Sequence, residues 1–153
     1  MVRMTDLPAS TQTGMANLEC PSFDTKPFIA GPPLSQRRVA VVTSAGLVRR
    51  GERPFISGDT DYRVMPAEVA PDQILMSHVS VNFDRTGFQR DINVVFPVDR
   101  LRDMAGAKVI GSVAATHYSF MGASDPRGMQ ANVKAVAGRL KADRVDAVLL
   151  TPV

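Results

Sequence analysis

The sequence predicts an α/β fold, with a mostly parallel sheet and flanking helices of the flavodoxin-like or Rossmann-like kind. β-branched apolar runs at residues 38–43 and 147–150 are typical of strands buried on both faces. Segments with helical apolar spacing at 98–105 and 128–142 separate such runs. Strands that alternate with helices favour right-handed crossovers and parallel neighbours.

The first 36 residues differ from the rest of the chain. They lack sustained periodicity and contain Pro8, Pro21, Pro27, Pro32 and Pro33. We expect residues 1–36 to form an irregular, proline-rich arm with a short helix near residues 15–18. Residues 37–153 are expected to form one α/β domain. The arm's composition leaves open that it binds a partner or a second copy in a homo-oligomer.

The first half of the predicted domain begins with the strand at 38–43, which ends in a tight turn. Residues 47–72 contain scattered prolines and glycines, so we expect a long connection with little regular structure. A connection this long is more often functional or interfacial than idle. Residues 73–81 form a second candidate strand.

The second half of the domain continues the alternation. The apolar run at 92–96 predicts a strand that Pro97 ends, before the helix at 98–105. Residues 109–114 form another apolar run, interrupted by a glycine. Asp125 and Pro126 suit the start of the helix at 128–142, whose buried face is predicted to contain Val133, Val136, Ala137 and Leu140.

The last predicted strand runs directly into the final residues, so the sheet is expected to be incomplete at the C-terminus. In open α/β sheets, ligand chemistry lies beyond the carboxyl ends of the strands. We therefore expect the domain to be truncated at its own active site.

Composition excludes several classes of protein. The formal charge is +3, and 44% of residues are hydrophobic and 22% charged, as in ordinary globular domains. The basic residues are scattered without aromatic interleaving, which favours a solvated surface over a nucleic-acid interface. No apolar stretch approaches a membrane span or a secretory signal. The single cysteine excludes an internal disulfide and fits a cytoplasmic protein.

The turn after the first strand is a candidate binding site. Ser44 and Gly46 lie at a strand's carboxyl end, where backbone N–H groups could hold an anion such as a carboxylate. The turn matches neither GxGxxG nor the P-loop, so nucleotide binding is unsupported. A plain turn is an equal alternative.

His78 and His117 both lie near apolar runs. Hydrogen-bonded structural histidines are the favoured interpretation, and substrate binding or proton handling is the alternative. A metal site is not predicted, because dispersed carboxylates and one distant cysteine do not supply the needed ligands. A Ser-His-Asp hydrolase is not indicated, since no GxSxG motif occurs.

The remaining candidates carry two interpretations each. Asp91 could anchor a loop, which is favoured, or orient an ammonium group. Tyr118 opens a segment, 118–122, that could equally pack in the core or line a small-ligand pocket. Cys20 is interpreted as a bystander, because nothing near it would lower a thiol pKa.

Several segments, taken in order, resemble the selenoprotein B family of the glycine, sarcosine, betaine and D-proline reductases. They are RVAVVTSAG (38–46), GDTDYRVMP (58–66), DINVVFPVDRL (91–101), HYSFMG (117–122) and the final DAVLLTPV. The resemblance runs from about residue 30 to the end, and DINVVFPVDRL and HYSFMG contribute most of it.

The resemblance implies an oxidoreductase that cleaves a C–N bond reductively, with a disulfide as the oxidised product. A pyruvoyl group on a partner subunit would hold the small amino-acid substrate, and a selenolate of the B-type chain would attack its α-carbon. No cofactor is expected in this chain itself. Ser44, Gly46, His78, Asp91, His117 and Tyr118 are predicted to surround the substrate.

The chain departs from the family pattern at the nucleophile. Family members place selenocysteine, or cysteine, directly after a segment like LLTPV, at the start of a helix. Because the selenocysteine codon otherwise means stop, we expect that the reading frame was closed there and that the chain alone is inactive. The alternatives are a non-catalytic amino-acid-binding or assembly module and a thiol-disulfide redox protein.

Overall fold

The described residues of the N-terminal segment are mostly exposed to solvent. The computed structural model describes residues 3–17, 19, 22, 24–80 and 84–153. None of the described residues before position 37 is buried. Helix α1 (Ala9–Ala16) begins earlier than the helix predicted near residues 15–18 and contains no buried residue. Leu18 and Cys20 lie outside the described residues, and the division into arm and domain stays a prediction.

The central sheet is built around β1 (Arg38–Thr43), as predicted. Residues 39–43 of β1 pair in parallel with the whole of β7 (Ala147–Thr151). Two short strands, β5 (Ser112–Val113) and β6 (Thr116–Phe120), pair in parallel with successive halves of β1. These inter-strand hydrogen bonds pair the backbone N–H and C=O groups of the strands, which would cost free energy if they were buried without partners.

The sheet is mixed, which corrects the flavodoxin-like or Rossmann-like expectation. Strand β3 (Tyr62–Pro66) pairs antiparallel with β6. Strands β2 (Leu47–Arg49) and β4 (Ile74–Met76) form a separate antiparallel pair. The fold class is therefore α/β with a mixed sheet, rather than a doubly wound parallel one.

The expectation that residues 47–72 lack regular structure was wrong, because they contain β2 and β3. Strand β3 alternates buried Arg63 and Met65 with partly buried neighbours, so an arginine occupies an inward position and hides the apolar alternation. Pro66 ends the strand, where a missing N–H is tolerated. The candidate strand at 73–81 is confirmed only over β4, and residues 81–83 lie outside the described residues.

Two helices match their predictions and cover opposite faces of the sheet. Helix α3 (Val98–Gly106) packs Val98 and Leu101 into the cluster of Val39 and Val41. Helix α4 (Gln130–Ala142) packs on the other face. Val136 is its buried residue, whereas the predicted core residue Val133 is half exposed. We call these the α3 face and the α4 face.

The predicted strand at 92–96 was wrong. Residues Ile92–Val94 form a 3₁₀ turn after the short helix α2 (Thr86–Arg90). Val94 is exposed, while Val95 and Phe96 are buried, so the run turns rather than extends. The run at 109–114 yields only β5, since the next strand begins separately at Thr116.

No helix in the described part of the chain combines the length and apolar character needed to cross a membrane.

Candidate active site at the carboxyl edge of the sheet

Three strands end side by side at one edge of the sheet. Strands β6 and β7 each pair in parallel with β1, which lies between them. The residues that follow them are Met121 and Gly122, Ser44, and Pro152 and Val153 respectively. This edge is where α/β domains place ligand chemistry, and it contains the predicted site residue Ser44.

Ser44 joins all three strand ends. Its backbone N–H donates to Thr151 O at 3.1 Å, and its carbonyl oxygen accepts from Gly122 N at 2.9 Å. Its side-chain oxygen accepts from Val153 N at 2.8 Å. Ser44 therefore fixes the geometry of this edge, a role that its position after the first strand did not reveal.

The turn after β1 uses its own N–H groups. Besides Ser44, Ala45 N donates to Thr43 Oγ1 and Leu47 N donates to Ser119 Oγ. Gly46 N donates to Phe120 O at 2.9 Å. Because these amides already have acceptors, the structure favours the plain turn over the backbone anion site. A substrate contact by Ser44 or Gly46 stays a prediction.

Gly46 brings the segment of His78 to this turn. Gly46 has a φ of +65°, and a Cβ there would lie 3.0 Å from His78 Cα. Only glycine fits this backbone without strain. Ser77 N also donates to Gly46 O at 2.8 Å. The structure thus brings together Ser44, Gly46 and His78 among the predicted site residues.

The His78 ring is buried and held by its own segment. Its Nδ1 accepts from Ser80 N at 3.1 Å. Burial, together with the positive charge of Arg85, lowers the pKa of His78 below the ordinary value of 6.5. His78 is therefore a neutral imidazole at neutral pH, and the lone pair of its Nδ1 is engaged by Ser80 N.

His117 lies inside the sheet, away from the strand ends. Its Nδ1 accepts from Val41 N at 3.0 Å, between the stretches where β5 and β6 pair with β1. The ring lies 5.5 Å from the Phe96 ring at 83°. Burial, then Arg102, lowers the pKa of His117 to about 4. These contacts support the structural interpretation of His117.

The contacts of Tyr118 and Asp91 do not involve Ser44. Tyr118 is buried on the α4 face, 5.7 Å from the Tyr62 ring in an edge arrangement, and burial raises its pKa. Asp91 caps the 3₁₀ turn by accepting from Asn93 N at 2.9 Å. That hydrogen-bonded Asn93 lowers the pKa of Asp91. Both geometries favour the structural alternatives, and substrate contacts by these residues stay predictions.

An apolar groove of about 450 Å³ opens on the α4 face beside the strand ends. It lies between α4 and the outer strand β7, and Leu150 in its wall is 67% exposed. Lining residues that sequence reasoning did not single out for a site are Val42, Thr43, Met129, Val148, Leu150, Thr151 and Pro152. The one feature of the sequence that could have pointed to these residues is their position, since they lie in or next to the predicted strands and one predicted helix.

The segment 118–122 contributes to the core. Tyr118 and Phe120 both belong to the core cluster of the α4 face, and Phe120 also lines the groove. Ligand binding by this segment stays a prediction. Met121 is fully buried in a small cluster with Val48 and Phe55, two residues of the connection at 47–72. Within the described ranges, no three His, Cys, Asp or Glu side chains are grouped so that they could hold a metal ion.

Comparison with known proteins identifies the family. The sequence profile of the glycine/sarcosine/betaine reductase selenoprotein B family matches residues 9–153. The chain belongs to this family. It is 32% identical over 121 residues to the D-proline reductase subunit gamma of Acetoanaerobium sticklandii, covering 77% of the chain and 49% of that relative.

Relatives from glycine reductase are similar to nearly the whole chain. The component B subunit gamma of the glycine reductase complex of Carboxydothermus hydrogenoformans is 31% identical over 140 residues, 88% of this chain and 32% of the relative. The corresponding subunit of Symbiobacterium thermophilum is 32% identical over 139 residues, which cover 86% of this chain and 32% of the relative. The chain thus spans about half or a third of these relatives' lengths. No solved structure matches it significantly.

Proposed function

We propose that this chain supplies the scaffold of the B-type subunit of a reductase that cleaves the C–N bond of a small amino acid. The relatives are subunits of glycine reductase and D-proline reductase complexes. The observation that carries the proposal is the placement of the LLTPV segment. It forms the end of β7 and leads into the edge where Ser44, Gly122 and the apolar groove meet.

The nucleophile in this proposal is a selenolate or thiolate at the position after Val153. A soft anion there attacks the substrate α-carbon, so that a carbon–chalcogen bond forms and the C–N bond breaks. The C–N bonding pair leaves with the amine, which takes up a proton. Two thiols later supply two electrons to release the reduced product and become a disulfide.

The chain's own residues serve orientation in this scheme. The groove on the α4 face offers an apolar surface beside the edge, because its walls are mainly aliphatic and aromatic. Proton handling by His78, whose backbone lies beside the turn, is part of this proposal. A pyruvoyl group on a partner subunit would activate the bound amino acid, because its carbonyl withdraws electrons from the substrate.

The decisive experiment extends the chain. DNA sequence beyond the Val153 codon should open with a selenocysteine or cysteine motif, and a region without one removes the proposed nucleophile. The extended protein, mixed with a pyruvoyl-bearing reductase subunit, should release amine from glycine or betaine, or open the ring of D-proline, at the expense of dithiol. Alanine at the position after Val153 should abolish turnover. Reductase activity of residues 1–153 alone would contradict the proposal.

A second candidate, an amino-acid-binding module, is favoured by the groove itself, which residues 1–153 already form. Calorimetric titration of the chain with glycine, proline and betaine distinguishes the two functions. Binding without turnover in the extended protein would favour the module. The thiol-disulfide alternative stays a prediction, since Cys20, the one cysteine of the sequence, lies outside the described residues.

A further inference from the structure

Val153, two residues past the end of β7, is held in place by both its backbone and its side chain. Its N–H donates to Ser44 Oγ at 2.8 Å. Its side chain packs against the large core cluster of the α3 face. Just before it, Thr151 Oγ1 donates to Val95 O at 2.9 Å, which ties the end of β7 to the turn below α3. The backbone that leaves β7 is therefore fixed in position.

Gly122 is shaped to admit this backbone. A Cβ on Gly122 would lie 2.8 Å from Ser44 O and 3.0 Å from Val153 O. Real Cβ atoms do not approach backbone oxygens so closely, so a side chain here would push the ends of β1, β6 and β7 apart. Gly122 is needed for space, since its φ is not in the left-handed region.

We propose that Ser44 is the positioning residue of this edge, with Gly122 as the space that it needs. Ser44 holds the backbone of Val153, and thereby fixes the direction in which the next position leaves the sheet. This inference rests on the proposed function for its purpose, because a nucleophile after Val153 gains from fixed geometry. The Ser44 hydroxyl accepts with a lone pair, so it keeps its own proton to donate.

Amide hydrogen exchange of Val153, followed by NMR, tests the contact without any activity. In the unaltered chain the Val153 amide should exchange more slowly than in the chain unfolded by urea. Ser44→Ala should raise its exchange rate by roughly tenfold, the effect of about one lost hydrogen bond. Ser44→Thr keeps a hydroxyl and should restore protection.

Matched variants separate a local contact from general loosening. Ser119 Oγ accepts from Leu47 N in the same way, at 2.7 Å. Ser119→Ala should therefore speed exchange at Leu47 and leave Val153 protected. Gly122→Ala should expose the Val153 amide, whereas Gly138→Ala, which has no atom within 4 Å of the added Cβ, should not.

Two results would overturn the inference. One is an unprotected Val153 amide in the unaltered chain, a measurement that does not depend on any variant folding. The other is equal protection in Ser44→Ala and the unaltered chain. In the extended reductase, Ser44→Ala should lower kcat and leave KM unchanged, and Ser44→Thr should recover kcat. Altered exchange without any reductase activity would retain the Ser44 contact and reject the proposed function.

Discussion

The two faces of the sheet are built differently. The α3 face is closed by Val39, Val41, Val98 and Leu101, all at most 5% exposed. The α4 face is closed near Val136 but opens into the groove toward the strand ends, where Val148 and Leu150 are 40% and 67% exposed. One face therefore stabilises the fold, and the other offers an apolar surface at the edge where the family's chemistry is proposed.

The largest expected effect tests that division by truncating one leucine on each face. Leu101→Ala should lower the free energy of unfolding by about 3 kcal/mol, because it leaves a cavity in the closed face. Leu150→Ala should cost less than about 1 kcal/mol, because most of its side chain is already in water. Urea unfolding measures both, and equal losses would refute the difference between the faces.

A similar but pH-dependent effect is expected from His117 on the closed face. Its pKa is lowered from 6.5 to about 4 by burial, with Arg102 and Arg38 lowering it further and Asp143 opposing them. The unfolded chain therefore binds more protons between these pH values. The contribution of His117 to stability is full above pH 6.5 and is lost as the pH falls toward 4, by about 3 kcal/mol in all.

The matched variant for that prediction is His117→Asn. An asparagine Oδ1 can take the place of Nδ1 as acceptor for Val41 N, and it does not titrate in this range. Urea unfolding at several pH values between 4 and 7 should show a flatter dependence for the variant. The acidic residues of the chain are the same in both proteins. Parallel pH profiles would show that His117 is not the titrating group.

The elements that the sequence predicted have a strong local pattern. Strands β1 and β7 are unbroken apolar runs, and helices α3 and α4 repeat apolar residues at helical spacing, so their own sequence indicates them. Strand β3 was missed because inward-facing Arg63 forms an ion pair with Asp61 and lies over the Phe55 ring. Those are contacts of the folded loop, which the local pattern does not encode.

The site was predictable by position but not by contact. Ser44 follows a buried strand, which made it a candidate. Its hydrogen-bond partner Val153 lies 109 residues away in sequence, and they meet because the whole of β7 pairs with β1. His117 shows the opposite case, since its apolar neighbours suggested a strand end but its ring completes the hydrogen bonding inside the sheet.

The smallest expected effects concern two glycines, one beside the closed side of the fold and one on the outer surface of α4. A Cβ on Gly111, just before β5, would lie 2.5 Å from the carbonyl carbon of Gln36. Because that atom is backbone, Gly111→Ala should cost about 2 kcal/mol as the chain shifts to make room.

Gly138→Ala should have the opposite sign. Gly138 is exposed within α4, and its added Cβ meets nothing within 4 Å. Alanine is a better helix former than glycine, so the variant should be more stable by about 0.5–1 kcal/mol. Thermal and urea unfolding of both variants measure the pair. A loss of stability in Gly138→Ala would mean that the outer surface of α4 is packed against other atoms and is not open as its exposed residues indicate.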